Sequence, residues 1–272
     1  MEEYTPKHSS NNGAKKSNKI VYYIALAVAA ALLLASILVF CVSFFGGKEE
    51  TGNYNNTNNT SSISSTVLPA NPIDFAKLQQ EYPDARAWIQ IPGIDKINYP
   101  IFQSSAEADD NFYLDHNRDG NSDRYGEIYI QKLNHNDFED PNTLIYGHNM
   151  TNGSMFGKLY DGSGRQFCNK DFFNEHRTIY VYLPGHILEY EIISAFVYDD
   201  RHILNSFNFA LEDERMNFFN TCINPNSLTK QVLEGATLNE DDRIITLSTC
   251  TSNDNERFLV VGKLINDTIT TK

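Results

Sequence analysis

One cysteine in this chain sits where a side chain can do chemistry: the last residue of the run Arg243-Ile244-Ile245-Thr246-Leu247-Ser248-Thr249-Cys250. The run is rich in β-branched residues and reads as a strand. Side chains alternate along a strand, so Ser248 and Cys250 project together. A polar loop, residues 251–256, follows and leaves the thiol at an accessible strand end. A thiolate so placed is a nucleophile for acyl transfer, whereas the same residue turned inward is a small apolar filler.

A cysteine nucleophile needs a base. Of the seven histidines, His8, His116, His135, His176, His186 and His202 lie among polar, charged or turn residues. His148 differs, because it ends Thr143-Leu144-Ile145-Tyr146-Gly147-His148, a second strand running into a loop. A cysteine and a histidine at two strand ends, distant in sequence, form the pattern of a Cys–His pair assembled by the fold. Arg257 opens a further strand seven residues after Cys250. If those two strands are neighbours, its permanently charged guanidinium suits an oxyanion or a substrate carbonyl.

The elements that must position these groups are short β-rich runs bounded by Gly, Pro and Asn. They cover residues 87–91, 99–103, 127–131, 142–148, 178–183, 187–198, 243–250 and 257–265. Helical patterns fall near 154–160, 169–176, 208–223 and 226–235, and a helix begins near Pro72-Ile73-Asp74-Phe75. Strands dominate without regular β–α alternation. The expected fold is therefore mainly β, a barrel with helical insertions rather than a parallel α/β sheet.

The run Thr246-Leu247-Ser248-Thr249-Cys250, the arginine at 257 and Tyr146-Gly147-His148-Asn149-Met150 together resemble the sortases, class B in particular. Gly153-Ser154-Met155-Phe156 and the helical stretch 208–235, between the sixth and seventh strands, are also similar to that class. The likeness covers roughly residues 72–266. It implies a closed eight-stranded β-barrel with N-terminal helices and a helix between strands six and seven. It also implies a cysteine transpeptidase without a cofactor. Such an enzyme cleaves a C-terminal sorting signal at a Thr-x bond through a thioacyl-enzyme and passes the surface protein to a cell-wall amine. Carried over residue by residue, Cys250 is the nucleophile, His148 the acid/base and Arg257 the oxyanion or substrate-positioning group. Tyr146, Ser248 and Thr249 are expected to line the peptide groove. Some class B members carry an acidic residue two positions after the cysteine; here it is Ser252, so the expected set is Cys–His–Arg without an aspartate.

Residues 20–45 contain no charge and are dominated by Ala, Leu, Val, Ile and Phe. At about 1.5 Å per residue, roughly 20 apolar residues cross the hydrocarbon core, so this run is long enough for an uncleaved anchor. Four lysines precede it, and the positive-inside rule leaves residues 1–19 as a cytoplasmic tail. Residues 46–70, rich in Asn, Thr, Ser and Gly, read as a flexible stalk. Residues 71–272 then form an extracellular catalytic domain on the cell-wall side. The first 48 residues carry a net charge of +3 in a chain of −13, which leaves −16 on the rest and argues against nucleic acid as a partner.

Cys222 falls on a helical stripe with Leu211, Phe218 and Phe219 and reads as a core residue, with a 168–222 disulfide as the lesser alternative. Asp115-His116-Asn117-Arg118-Asp119-Gly120 matches the start of a calcium loop, but Gly126 stands where a bidentate glutamate is required, so the segment reads as a polar turn. The Cys and His residues lack zinc spacing, and no metal site is expected. Two other functions fit the same residues: a membrane-anchored peptidase that hydrolyses through Cys250 and His148, and a non-catalytic surface adhesin in which the thiol is inert.

Overall fold

The computed structural model describes residues 68–105, 109–160 and 166–271. The tail, apolar run and most of the stalk expected at 1–19, 20–45 and 46–70 lie outside them. Among the described residues no helix is long and apolar enough to cross a membrane. Helix α1 (Phe75–Glu81) opens the domain, with the Asp74 carboxylate accepting from the Lys77 amide at 3.0 Å as its N-cap.

Nine strands follow among the described residues: β1 (Ala85–Gln90), β2 (Asn98–Phe102), β3 (Ile128–Ile130), β4 (Asn142–Tyr146), β5 (Thr178–Leu183), β6 (His186–Asp199), β7 (Lys230–Val232), β8 (Ile244–Cys250) and β9 (Glu256–Ile269). Their order is β5-β1-β2-β3-β4-β8-β9-β6-β7, and β5 also pairs with β6. That extra pairing closes eight strands into a barrel and leaves β7 appended to β6. The eight barrel strands are the eight expected from the sequence, shifted by a few residues at their ends.

Two helical expectations fail. Residues 226–235 contain β7, whose backbone pairs with Ser194–Phe196 of β6 and satisfies an otherwise open edge. Residues 154–160 are a chain of turns, because Gly153 and Met155 take φ values of +79° and +51° and so interrupt a right-handed helix. The other two expectations hold as α2 (Lys170–Glu175) and, between β6 and β7, α4 (Glu212–Ile223), preceded by the single turn α3 (Ile203–Ser206).

Alternation divides each strand between two cores. Ile145, Ile245, Leu247, Phe258 and Val260 face the barrel interior with Ile89, Ile130 and Phe156. Leu144, Ile244, Leu259 and Val261 face outward, beneath Phe218, Phe219 and Cys222 of α4. Cys222 is a free, fully buried thiol, so the 168–222 disulfide is not formed. Phe218 is buried among Phe207, Phe209 and Tyr198 at ring separations of 5.2, 5.5 and 6.5 Å. Phe218→Ala is expected to cost about 3–5 kcal/mol, as large-to-small core changes do. Urea denaturation should show a lower midpoint at unchanged slope.

Candidate active site

The pairing of β4, β8 and β9 brings Cys250, His148 and Arg257, the three side chains expected to react, to one end of the barrel. Strands β8 and β9 are antiparallel, and Cys250 stands directly opposite Arg257. Strands β4 and β8 run parallel, with Tyr146 beside Ser248. The Gly147 amide extends that ladder by donating to the Ser248 carbonyl at 3.2 Å. Cys250, Ser248, Arg257 and Tyr146 all fall on the outward face, in phase with Leu144, Ile244 and Leu259.

Gly147 lets the backbone run close to the barrel core here. A Cβ in its place would meet Cδ2 of Phe156 at 2.7 Å, so only glycine lets the backbone press onto the barrel core just before His148. Beyond it, the Asn149 amide group donates to the Cys250 carbonyl at 2.9 Å and ties the two strand ends together.

These residues border an open groove of about 360 Å³, also lined by Leu114, Tyr129, Gln131 and the segment Asp199 to Ile203. Cys250 is exposed, while His148 and Arg257 are half-buried. His148 meets the Leu114 carbonyl through Nε2 at 2.6 Å. Nη1 of Arg257 donates to the carbonyls of Asp254 and Glu256 at 2.9 and 2.8 Å, which holds the guanidinium against the β8–β9 turn. Asp254 thus contributes its backbone to the arginine, and the partner recorded for the histidine is a carbonyl rather than a carboxylate.

One wall is a polar lattice. The Tyr146 hydroxyl donates to Gln131 Oε1 at 3.2 Å, and the Gln131 amide donates to Asn111 Oδ1 at 2.8 Å. Tyr129 donates to the same Asn111 oxygen at 3.2 Å and stacks on Tyr146 with ring centroids 5.3 Å apart. Burial pushes both phenols well above the ordinary tyrosine range, so they remain neutral donors at physiological pH. For Tyr146 the negative charge of Asp110 adds to the rise and the Arg257 charge opposes it; for Tyr129 the neighbouring Tyr146 and the charges of Asp110 and Asp109 add to it.

Of the three groove residues expected from the resemblance, Tyr146 and Ser248 face outward. Thr249 borders the groove, yet alternation turns its side chain inward with Leu247; it is 2% exposed and its hydroxyl has no hydrogen-bond partner among the described residues. Sequence reasoning missed Leu114, Tyr129, Gln131, Asn111 and the Asp199–Arg201 corner. The alternation that selects Tyr146 on β4 selects Tyr129 on β3, and Gln131 just past its end, as soon as that pairing is known.

Three comparisons bear on this arrangement. The family model of the sortase domain matches residues 89–265. Sortase B of Listeria monocytogenes is 35% identical over 192 residues, covering 69% of this chain and 72% of that protein. Among solved structures, a mutant form of Clostridium perfringens sortase B superposes with a TM-score of 0.60 at 29% identity, over 71% of this chain and 86% of that one. Sortase B from B. anthracis gives 0.59 at 30% identity, over 71% and 84%. A closed eight-stranded barrel, a cysteine and an arginine paired across two strands, a histidine just past the end of the adjoining strand and these similarities lead to one conclusion: the chain belongs to the sortase family, as a class B cysteine transpeptidase.

Proposed function

We propose that Cys250, His148 and Arg257 carry out the transfer in the outer-face groove, with a C-terminal sorting peptide as donor and a cell-wall amine as acceptor. The observation that carries this reading is the register Cys250–Arg257 beside Tyr146–Ser248, which sets all three groups on one groove. The Cys250 thiolate attacks the carbonyl carbon of the motif threonine. Arg257 stabilises the oxyanion, His148 protonates the departing amine, and the C–N bond gives way to a thioester. The acceptor amine then attacks the thioester and yields its proton to His148. The thiolate leaves, and a new amide joins the surface protein to the acceptor.

Tyr146 and Ser248 support the peptide along the groove, and Thr249 shapes its floor through its backbone. The run at 20–45 serves as a single-pass anchor with residues 1–19 in the cytoplasm and the domain on the outer side. A tethered enzyme meets both exported proteins and wall precursors at the membrane surface, and neither step calls for a cofactor.

A guanidinium holds two carbonyls through one nitrogen and keeps further donors in a fixed plane, which an ammonium cannot copy. Arg257→Lys is therefore expected to lower kcat for transfer by about 10²–10³-fold, the usual loss of an oxyanion donor, with a smaller change in KM. Steady-state kinetics on a sorting peptide check this.

The function itself is tested with a peptide library incubated with the protein, with and without an amine acceptor, and read by mass spectrometry. A cleaved threonine product joined to the amine supports transpeptidation. Acid products alone, unchanged by the amine, support a hydrolytic peptidase instead, and no cleavage supports neither.

A further inference from the structure

The recorded contact of His148 is made by Nε2 with a carbonyl, and a carbonyl oxygen accepts only. Nε2 therefore bears a proton. In a neutral imidazole the other nitrogen, Nδ1, is then the bare one, because the hydrogen bond made by one ring nitrogen fixes the state of the other.

The carbonyl that does this belongs to Leu114, at the end of a single 3-10 turn (Phe112–Leu114). That turn is held on several sides. The Leu114 amide donates to the Asn111 carbonyl at 2.8 Å, and the Glu127 amide donates to the Tyr113 carbonyl at 2.8 Å. Tyr113 is buried against Phe102, and its hydroxyl donates to Asp84 at 3.0 Å. The loop after it returns to β3 under a closed ion pair: the buried Glu127 carboxylate accepts from Arg118 Nε at 2.9 Å, from Nη2 at 3.2 Å and from the Arg118 amide at 3.0 Å.

Gly126 sits at the end of that loop with φ +54°. A Cβ there would lie 2.5 Å from the Leu114 oxygen and 2.9 Å from its carbon, and would also strike the Tyr113 carbonyl. These are backbone atoms of a packed turn, so they cannot yield as a flexible side chain does. The position where a calcium loop would carry glutamate is thus glycine for a steric reason: the chain passes face-on against the carbonyl that holds His148.

We propose that the Leu114 carbonyl, kept in place by Gly126, fixes His148 in the Nε2–H tautomer, so that Nδ1 is the atom that passes protons to the leaving amine and from the acceptor. The carbonyl fills the orienting place that a carboxylate holds in a Cys–His–acid triad, which Ser252 does not supply. Gly126 and Leu114 are positioning residues, and the inference rests on His148 being the acid–base group.

The test uses the full chain with isotope-labelled histidine ring nitrogens, the His148 signals being assigned by their loss in His148→Gln. In the neutral form the proton-bearing nitrogen should be Nε2. Gly126→Ala should give a mixture of tautomers and a kcat about 10–100-fold lower with KM unchanged, the scale of a misplaced catalytic group. Should that variant not fold, an ester in place of the Leu114–Asp115 amide weakens the same acceptor and should move the same two readouts. A wild-type proton on Nδ1 overturns the proposal, as does a weakened acceptor that leaves both tautomer and kcat as they were. Full transfer by His148→Gln would instead overturn the acid–base role itself, whatever the tautomer.

Discussion

Cys250→Ala is expected to abolish transfer of a sorting peptide to an amine, with a loss of at least about 10⁴-fold, because removing a nucleophile from a concerted site disables the rest of it. The replacement removes one sulfur from an exposed strand end and leaves the backbone register with Arg257 intact, so the fold should survive. Among the described residues no other thiol lines the groove. Cys222 lies under α4, fully buried, and burial pushes its thiol far above the ordinary range. Cys168 is half-buried against the barrel core. Transfer rates measured beside a circular-dichroism melt separate lost chemistry from lost fold. An unchanged melting curve with no transfer product is the expected result, and retained transfer would assign the nucleophile elsewhere.

His148→Gln is expected to lower kcat/KM for an amide substrate by about 10²–10⁴-fold, the range of general acid–base catalysis. Glutamine keeps an N–H for the Leu114 carbonyl but cannot pass a proton, so packing is conserved while proton transfer is lost. An activated ester of the same peptide leaves without being protonated. Its acylation should therefore fall much less than that of the amide. Equal losses for both substrates would mean that His148 serves position or binding rather than proton transfer.

The barrel was legible because its eight strands are short runs rich in β-branched and aromatic residues, and the proximity of Cys250, Arg257 and His148 followed from where three of those runs end. The ninth strand was not. Lys230–Val232 has three residues with no alternation to detect, and it is a strand because the edge of β6 offers hydrogen bonds. The turns at 154–160 escaped for a related reason: left-handed φ at Met155 is a property of the loop, not of methionine. The outward placement of Tyr146, Ser248 and Cys250 followed from alternation along single strands. The adjoining wall did not, since Tyr129 and Gln131 reach the groove through the pairing of β3 with β4, and Asn111 through hydrogen bonds to them. The contact between His148 and Leu114 was beyond any reading of residue types, because it uses a main-chain oxygen 34 positions away.

Transfer through Cys250 requires a thioester at one sulfur, and the most direct measurement is the intact mass of the protein after incubation with a sorting peptide in the absence of acceptor. An adduct equal to the peptide up to its threonine should appear, map to Cys250 after digestion, and discharge when an amine is added. A mass that never changes while product accumulates, or an adduct on any other residue, would contradict it.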